Sequence, residues 1–163
     1  MQAGTPTAGH AALVIDTNIV LDLWVFEDPA AATLRVQLGQ SDMPWYATQA
    51  MRDELQRVLD YPAIALWLAR ALRKPQDVLA QWDAHTTLVA AALEAPWRCK
   101  DADDQKFIDL AVQQRALLLS KDKAVLCLAK RLQASGVRIA RTLDDATSIA
   151  ASALPQSVSA GFH

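Results

Sequence analysis

The sequence predicts a single α/β domain, a three-layer sandwich with a mostly parallel sheet of four to five strands flanked by helices. Two patterns carry this expectation. Short, uninterrupted apolar runs alternate with helical segments along the 163 residues, as parallel strands buried on both faces require. Acidic residues also stand where strands hand over to helices, at Asp16, Asp104 and Asp122. A parallel sheet gathers such positions along one edge.

The elements follow in order. Residues 11–15 read as a buried strand, ended by Asp16-Thr17-Asn18, and Ile19 to Phe26 continue as a helix. Asp28-Pro29 starts a second helix, which Gly39 is expected to stop after Leu38. Pro44 to Ala47 form a second strand. Thr48 caps a helix with Met51, Leu55, Val58 and Leu59 on one face, ended by Tyr61-Pro62. Residues 63–73 and 76–84 are two more helices, divided at Lys74-Pro75, with Trp67 and Trp82 as packing residues. Residues 86–93 fit strand and helix equally. Asp103 and Asp104 open a helix with Phe107, Ile108, Ala111 and Val112 inward. Residues 116–119 are a further strand, Lys123 to Ala134 one helix closed by Gly136, 137–140 another strand, and Leu143 to Ala153 a last helix. The domain thus spans 11–153. Residues 1–10 and 154–163 are expected to be flexible ends.

Composition narrows the class. The chain is 52% hydrophobic and 21% charged, as in soluble globular domains. No apolar run reaches the roughly 18 residues of a membrane span, and the N-terminus lacks the pattern of a secretory signal. Cys99 and Cys127 match no zinc or redox spacing and read as reduced thiols of a cytoplasmic protein. His10, His85 and His163 outline no histidine-based metal site. Charge is uneven. Residues 98–141 hold ten Lys/Arg and five Asp, whereas the rest holds six Lys/Arg and thirteen Asp/Glu. A basic rim around an acidic centre suits a polyanionic substrate. Taken alone, the same basic residues are better read as a solvated helix face.

Four acids carry the chemistry: Asp16 in LVIDTN, Glu54 in QAMRDEL, Asp104 in DADDQKF and Asp122 in LLLSKD. Helix capping explains the aspartates taken one at a time, and a polar helix face explains Glu54. Capping needs one acid, however, and Asp101, Asp103 and Asp104 crowd one helix start. Carboxylates brought together repel each other, and a divalent cation is the usual reason to tolerate that. The pattern points to an all-oxygen metal site. Asn18 and Ser120 are placed to orient carboxylates or waters.

In order and approximate spacing, LVIDTN, the Glu54 helix, DDQKFIDLA and SKD resemble the PIN domain over residues 11–150. The segment CKDADDQKFIDLA is similar to the Cys-x-Asp-Pro-Asp-Asp-x-x-Phe element of its toxin–antitoxin toxin branch. The chain departs from that pattern at Ala102, where Pro is common, at Gln114-Arg115, where Gly often precedes the strand, and at Lys121. The resemblance implies a metal-dependent ribonuclease with Asp16, Glu54, Asp104 and Asp122 as its acids, Asn18, Asp103 and Ser120 in support, and Mg²⁺ or Mn²⁺ as cofactor. On this reading Asp16 and Asp104 hold the tighter ion, and Asp122 and Glu54 assist it or hold a second. Arg98, Lys100, Lys106, Lys121 and Lys123 are the expected contacts to phosphates. RNA, a cognate antitoxin and a second copy of the chain are the expected partners. The rival expectation is a PIN-like module that binds RNA or protein without turnover. Other phosphoryl-transfer folds fit less well. Asn18 stands where haloacid-dehalogenase phosphatases need a second Asp, the paired acid of receiver domains is missing, and the scattered glycines form no phosphate loop.

Overall fold

The structure, a computed structural model, describes residues 12–40 and 43–146. Strands β1 (Leu13–Ile15), β2 (Trp45–Ala47), β3 (Thr86–Leu88), β4 (Leu117–Leu119) and β5 (Arg138–Ala140) form one sheet in the order β3-β2-β1-β4-β5. Every pairing is parallel. The two central strands, LVI and LLL, are buried throughout, because helices cover both faces of a parallel sheet. They align in register, Leu13 with Leu117 and Ile15 with Leu119. The chain builds outward from β1 to β2 and β3, then returns to the other side of β1 for β4 and β5. The reversal lies between β1 and β4, the place where ligands bind in open α/β sheets.

Helices α1 (Thr17–Trp24), α2 (Ala32–Gln40), α3 (Gln49–Leu59), α4 (Pro62–Arg70), α5 (Pro75–His85), α6 (Gln105–Gln114), α7 (Lys123–Leu126) and α8 (Ala129–Gln133) flank the sheet. Pro62 and Pro75 open α4 and α5 at positions where a missing N–H costs nothing. Helix α6 packs against β1 and β4, and α8 against β5. Trp24, Trp45 and Trp82 form an aromatic cluster, with ring centroids 5.8 and 6.1 Å apart. No helix among the described residues is long and apolar enough to cross a membrane.

Several boundaries differ from the sequence expectations. Helix α2 runs through Gly39 to Gln40. Gly39 does not take the left-handed conformation with which glycine ends helices, whereas Gly136, at φ 79°, does. The expected helix from Lys123 to Ala134 is broken. The amide of Leu128 bonds back three residues to Val125, tightening the turn, and regular bonding resumes with Leu132 on Leu128. That turn keeps Val125, Leu128 and Leu132 all buried. The ambiguous 86–93 segment is a three-residue edge strand followed by irregular chain. Trp82 is in the core, but Trp67 is 51% exposed, its ring edge-to-face on Phe26. Residues 143–146 are helical, as expected. The remainder of the helix expected over 143–153, and the ends expected to be flexible, lie outside the described residues.

Candidate functional site

Strand β1 ends at Ile15, and the amide of Asp16 still pairs with the carbonyl of Leu119 at the end of β4. Asp16 is thereby held at the reversal point, 3% exposed. It occupies the cap position of α1, yet its side chain makes no capping hydrogen bond. Instead the Ser120 hydroxyl donates to Asp16 Oδ2 at 2.7 Å, and the Asp122 amide donates to Ser120 Oγ at 3.1 Å. Burial pushes the Asp16 carboxyl up, and the charges of Glu54 and Asp122 add to this. The bonds from Ser120 and the Thr17 amide work against it.

Asp101, Asp104 and Asp122 bring one carboxylate oxygen each within 4.8 Å of one another. Capping accounts for part of two of them. Asp122 Oδ1 accepts from the Ala124 amide, and Asp101 Oδ1 from the Asp103 amide at the 3₁₀ turn Ala102–Asp104. It does not account for Asp104, which is 7% exposed and makes no capping bond. Its Oδ2 is buried with no hydrogen-bond partner. A buried carboxylate oxygen left bare costs far more than one in water. Burial first, then contact with Asp122 and the charges of Asp16, Asp122 and Asp101, push the Asp104 carboxyl up to about 8. Among the described residues no Lys or Arg forms an ion pair with Asp16, Asp101, Asp104 or Asp122. Oxygen donors of this kind fit a hard divalent cation such as Mg²⁺ or Mn²⁺.

Glu54 stands apart from that set in its partners. It lies on α3, where Oε1 accepts from Thr17 Oγ1 at 3.1 Å and meets the Lys106 ammonium at 3.0 Å. Asn18 is exposed, and its side chain makes no hydrogen bond among the described residues. Asp103 is exposed, and its carbonyl accepts from Lys106. Three of the five expected phosphate contacts are engaged within the chain, two of them by short ion pairs: Lys106 with Glu54, and Lys121 with the buried Asp22 at 2.6 Å. Arg98 pairs loosely with Glu94 at 3.5 Å. Lys100 and Lys123 are exposed and have no ionic partner among the described residues.

Asp101, Thr17 and Asp22 are the participants to which the sequence alone assigns no role. For Asp101 the signal is its place at the start of the acidic run, where it caps one turn and still faces Asp104. Thr17 directly follows Asp16, but nothing local shows that its hydroxyl reaches Glu54. Gln105 organises the loop behind the cluster. Its amide group bonds the Trp97 carbonyl, Asp109 and the Cys99 amide. The thiols of Cys99 and Cys127 are both free and both donate to the Ala124 carbonyl.

The sequence model of a family described as PIN domain matches residues 12–124, more than half of the chain. No curated protein matches it.

Proposed function

Since the chain belongs to the PIN domain family, whose members are in general nucleases, we propose that it is a divalent-metal-dependent endoribonuclease that hydrolyses phosphodiester bonds. The single observation that supports this most is the bare, buried Oδ2 of Asp104, on a carboxyl group that clusters with those of Asp101 and Asp122. Asp104, Asp122 and Asp16 would hold Mg²⁺ or Mn²⁺, with Asp101 beside them. The bound ion would supply a water of lowered pKa and would neutralise charge on the phosphate. Ser120 keeps the Asp16 carboxylate oriented and favours its ionised form. The Asp122 amide fixes Ser120 in turn, so one short relay holds two of the acids.

Water is the nucleophile on this reading. Activation of a ribose 2′-OH needs a base, and His85 is the one described histidine. It precedes β3, at the amino edge of the sheet, whereas the acids line the carboxyl edge. Its ring bonds the Gln81 carbonyl and packs on Trp24. The products would carry 5′-phosphate and 3′-hydroxyl ends.

The similarity of CKDADDQKFIDLA to the toxin branch supports a role as the toxin of a cytoplasmic toxin–antitoxin pair. An antitoxin or a second copy of the chain would find exposed apolar side chains at Tyr61, Leu66, Trp67 and Leu72. The test is cleavage of end-labelled single-stranded RNA with Mn²⁺ or Mg²⁺ by the wild type, Asp16→Asn and Asp104→Asn. Metal-dependent cleavage, with losses above about 100-fold in both variants, is expected. A folded wild type that binds the RNA but never cleaves it would replace this reading with that of a binding module.

A further inference from the structure

The carboxyl edge carries five clustered acids, and the chain itself compensates one of them. Asp16, Asp101, Asp104 and Asp122 have no ionic partner among the described residues, whereas Glu54 is held by Lys106. That pair is no casual surface contact. The Lys106 and Glu54 side chains are only 25% and 18% exposed. The ammonium also donates to the Asp103 carbonyl at 2.6 Å and lies 5.0 Å from the centre of the buried Phe107 ring. Thr17, next to Asp16, donates to the same Glu54 oxygen at 3.1 Å. Lys106 is therefore anchored by a carboxylate, a carbonyl and a ring face. Its charge sits two residues along the chain from the bare oxygen of Asp104.

We propose that Lys106 is the built-in second cation of this site, with Glu54 as its counter-ion rather than a metal ligand, so that the chain takes up one divalent ion and not two. The inference rests on the metal-dependent nuclease reading and refines it. Two-metal sites place their second positive charge roughly 4 Å from the first, where it neutralises the scissile phosphate. An ammonium held in that neighbourhood performs the neutralising task and repels a second ion from Glu54. It also accounts for Glu54 being the one of these five acids with an ionic partner among the described residues. Lys106 thus acts on the site's charge, and Glu54 positions Lys106.

The test counts ions instead of turnovers. Mn²⁺ is titrated into the full chain at neutral pH, and the free ion is read by electron paramagnetic resonance. The wild type, Lys106→Arg and Glu54→Gln should each bind one ion. Lys106→Met, which leaves Glu54 unpaired, should bind a second, weaker ion. Adding Glu54→Gln to Lys106→Met should return the count to one. Two ions on the wild type, or none on Glu54→Gln, would overturn the proposal while leaving the nuclease reading intact. A single ion on folded Lys106→Met would do the same. If Lys106→Met does not fold, the wild-type and Glu54→Gln counts still decide. A wild type that binds no Mn²⁺ would remove the nuclease reading and this inference with it.

Discussion

In the metal-free chain Asp104 keeps its proton up to about pH 8, because burial and the carboxylates around it oppose ionisation. An unfolded aspartate releases its proton near pH 3.9. Between roughly pH 4 and pH 8 the folded chain therefore binds a proton that the unfolded chain has lost, and unfolding free energy falls as pH rises. Asp16 is raised as well and adds to the same trend. Thermal melts of metal-free protein should show Tm falling steadily from about pH 5 to about pH 8. Asp104→Asn, which has no charge to desolvate, should flatten that slope and melt higher than wild type at the upper end. A wild-type Tm that is level or rising across the window would contradict the burial argument. The same substitution should abolish cleavage, so stability and activity move in opposite directions at this position.

Three non-glycine residues among the described ones, Glu27, Leu72 and Arg115, take positive φ just past helix ends. Helix α6 closes on Arg115 with φ 50° and ψ 46°, the left-handed conformation that costs a side-chain-bearing residue about 1 kcal/mol or more. The sequence departs from the family pattern at this very place, since related chains often have glycine before the strand. The left-handed turn is what glycine would satisfy there. Arg115→Gly should raise stability by about 1 kcal/mol, or roughly 2–4 °C in Tm for a domain of this size, with cleavage unchanged. Denaturant melts in which the variant is less stable would show that the side chain of Arg115 contributes more than the strain costs.

At the scale of the whole molecule, the carboxyl edge of the sheet presents acids at its centre and basic residues beyond them. Not all of those bases are without a partner among the described residues. Lys106 and Lys121 are held by Glu54 and Asp22, whereas Lys100 and Lys123 are exposed and unpaired among the described residues. On single strands each phosphate contact adds about 0.7 to the slope of log affinity against log salt. Replacing Lys100 and Lys123 together by alanine should lower that slope by about 1.4 for a non-cleavable RNA. An unchanged slope would place the phosphate path elsewhere on the surface.

The strands Leu13–Ile15 and Leu117–Leu119 are legible as sequence, because a strand buried on both faces must be continuously apolar. Acids that directly follow such strands are legible for the same reason, since apolar packing does not call for them. Strand Thr86–Leu88 is ambiguous as sequence, being a short edge strand with an intermediate-exposed-exposed face and no continuous apolar run. The order of strands is also a tertiary matter. It sets β1 beside β4 and brings Ser120 onto Asp16 across 104 positions of chain. Local pattern likewise leaves open which aspartates spend an oxygen on a helix end and which one is left bare. Asp101, Asp104 and Asp122 look alike in sequence, and only their surroundings distinguish them. The pairing of Lys106 with Glu54 is decided in the same way. Propensity and periodicity act between neighbours along the chain, whereas burial and ion pairing depend on distances that exist only once α3, α6 and the sheet have packed together.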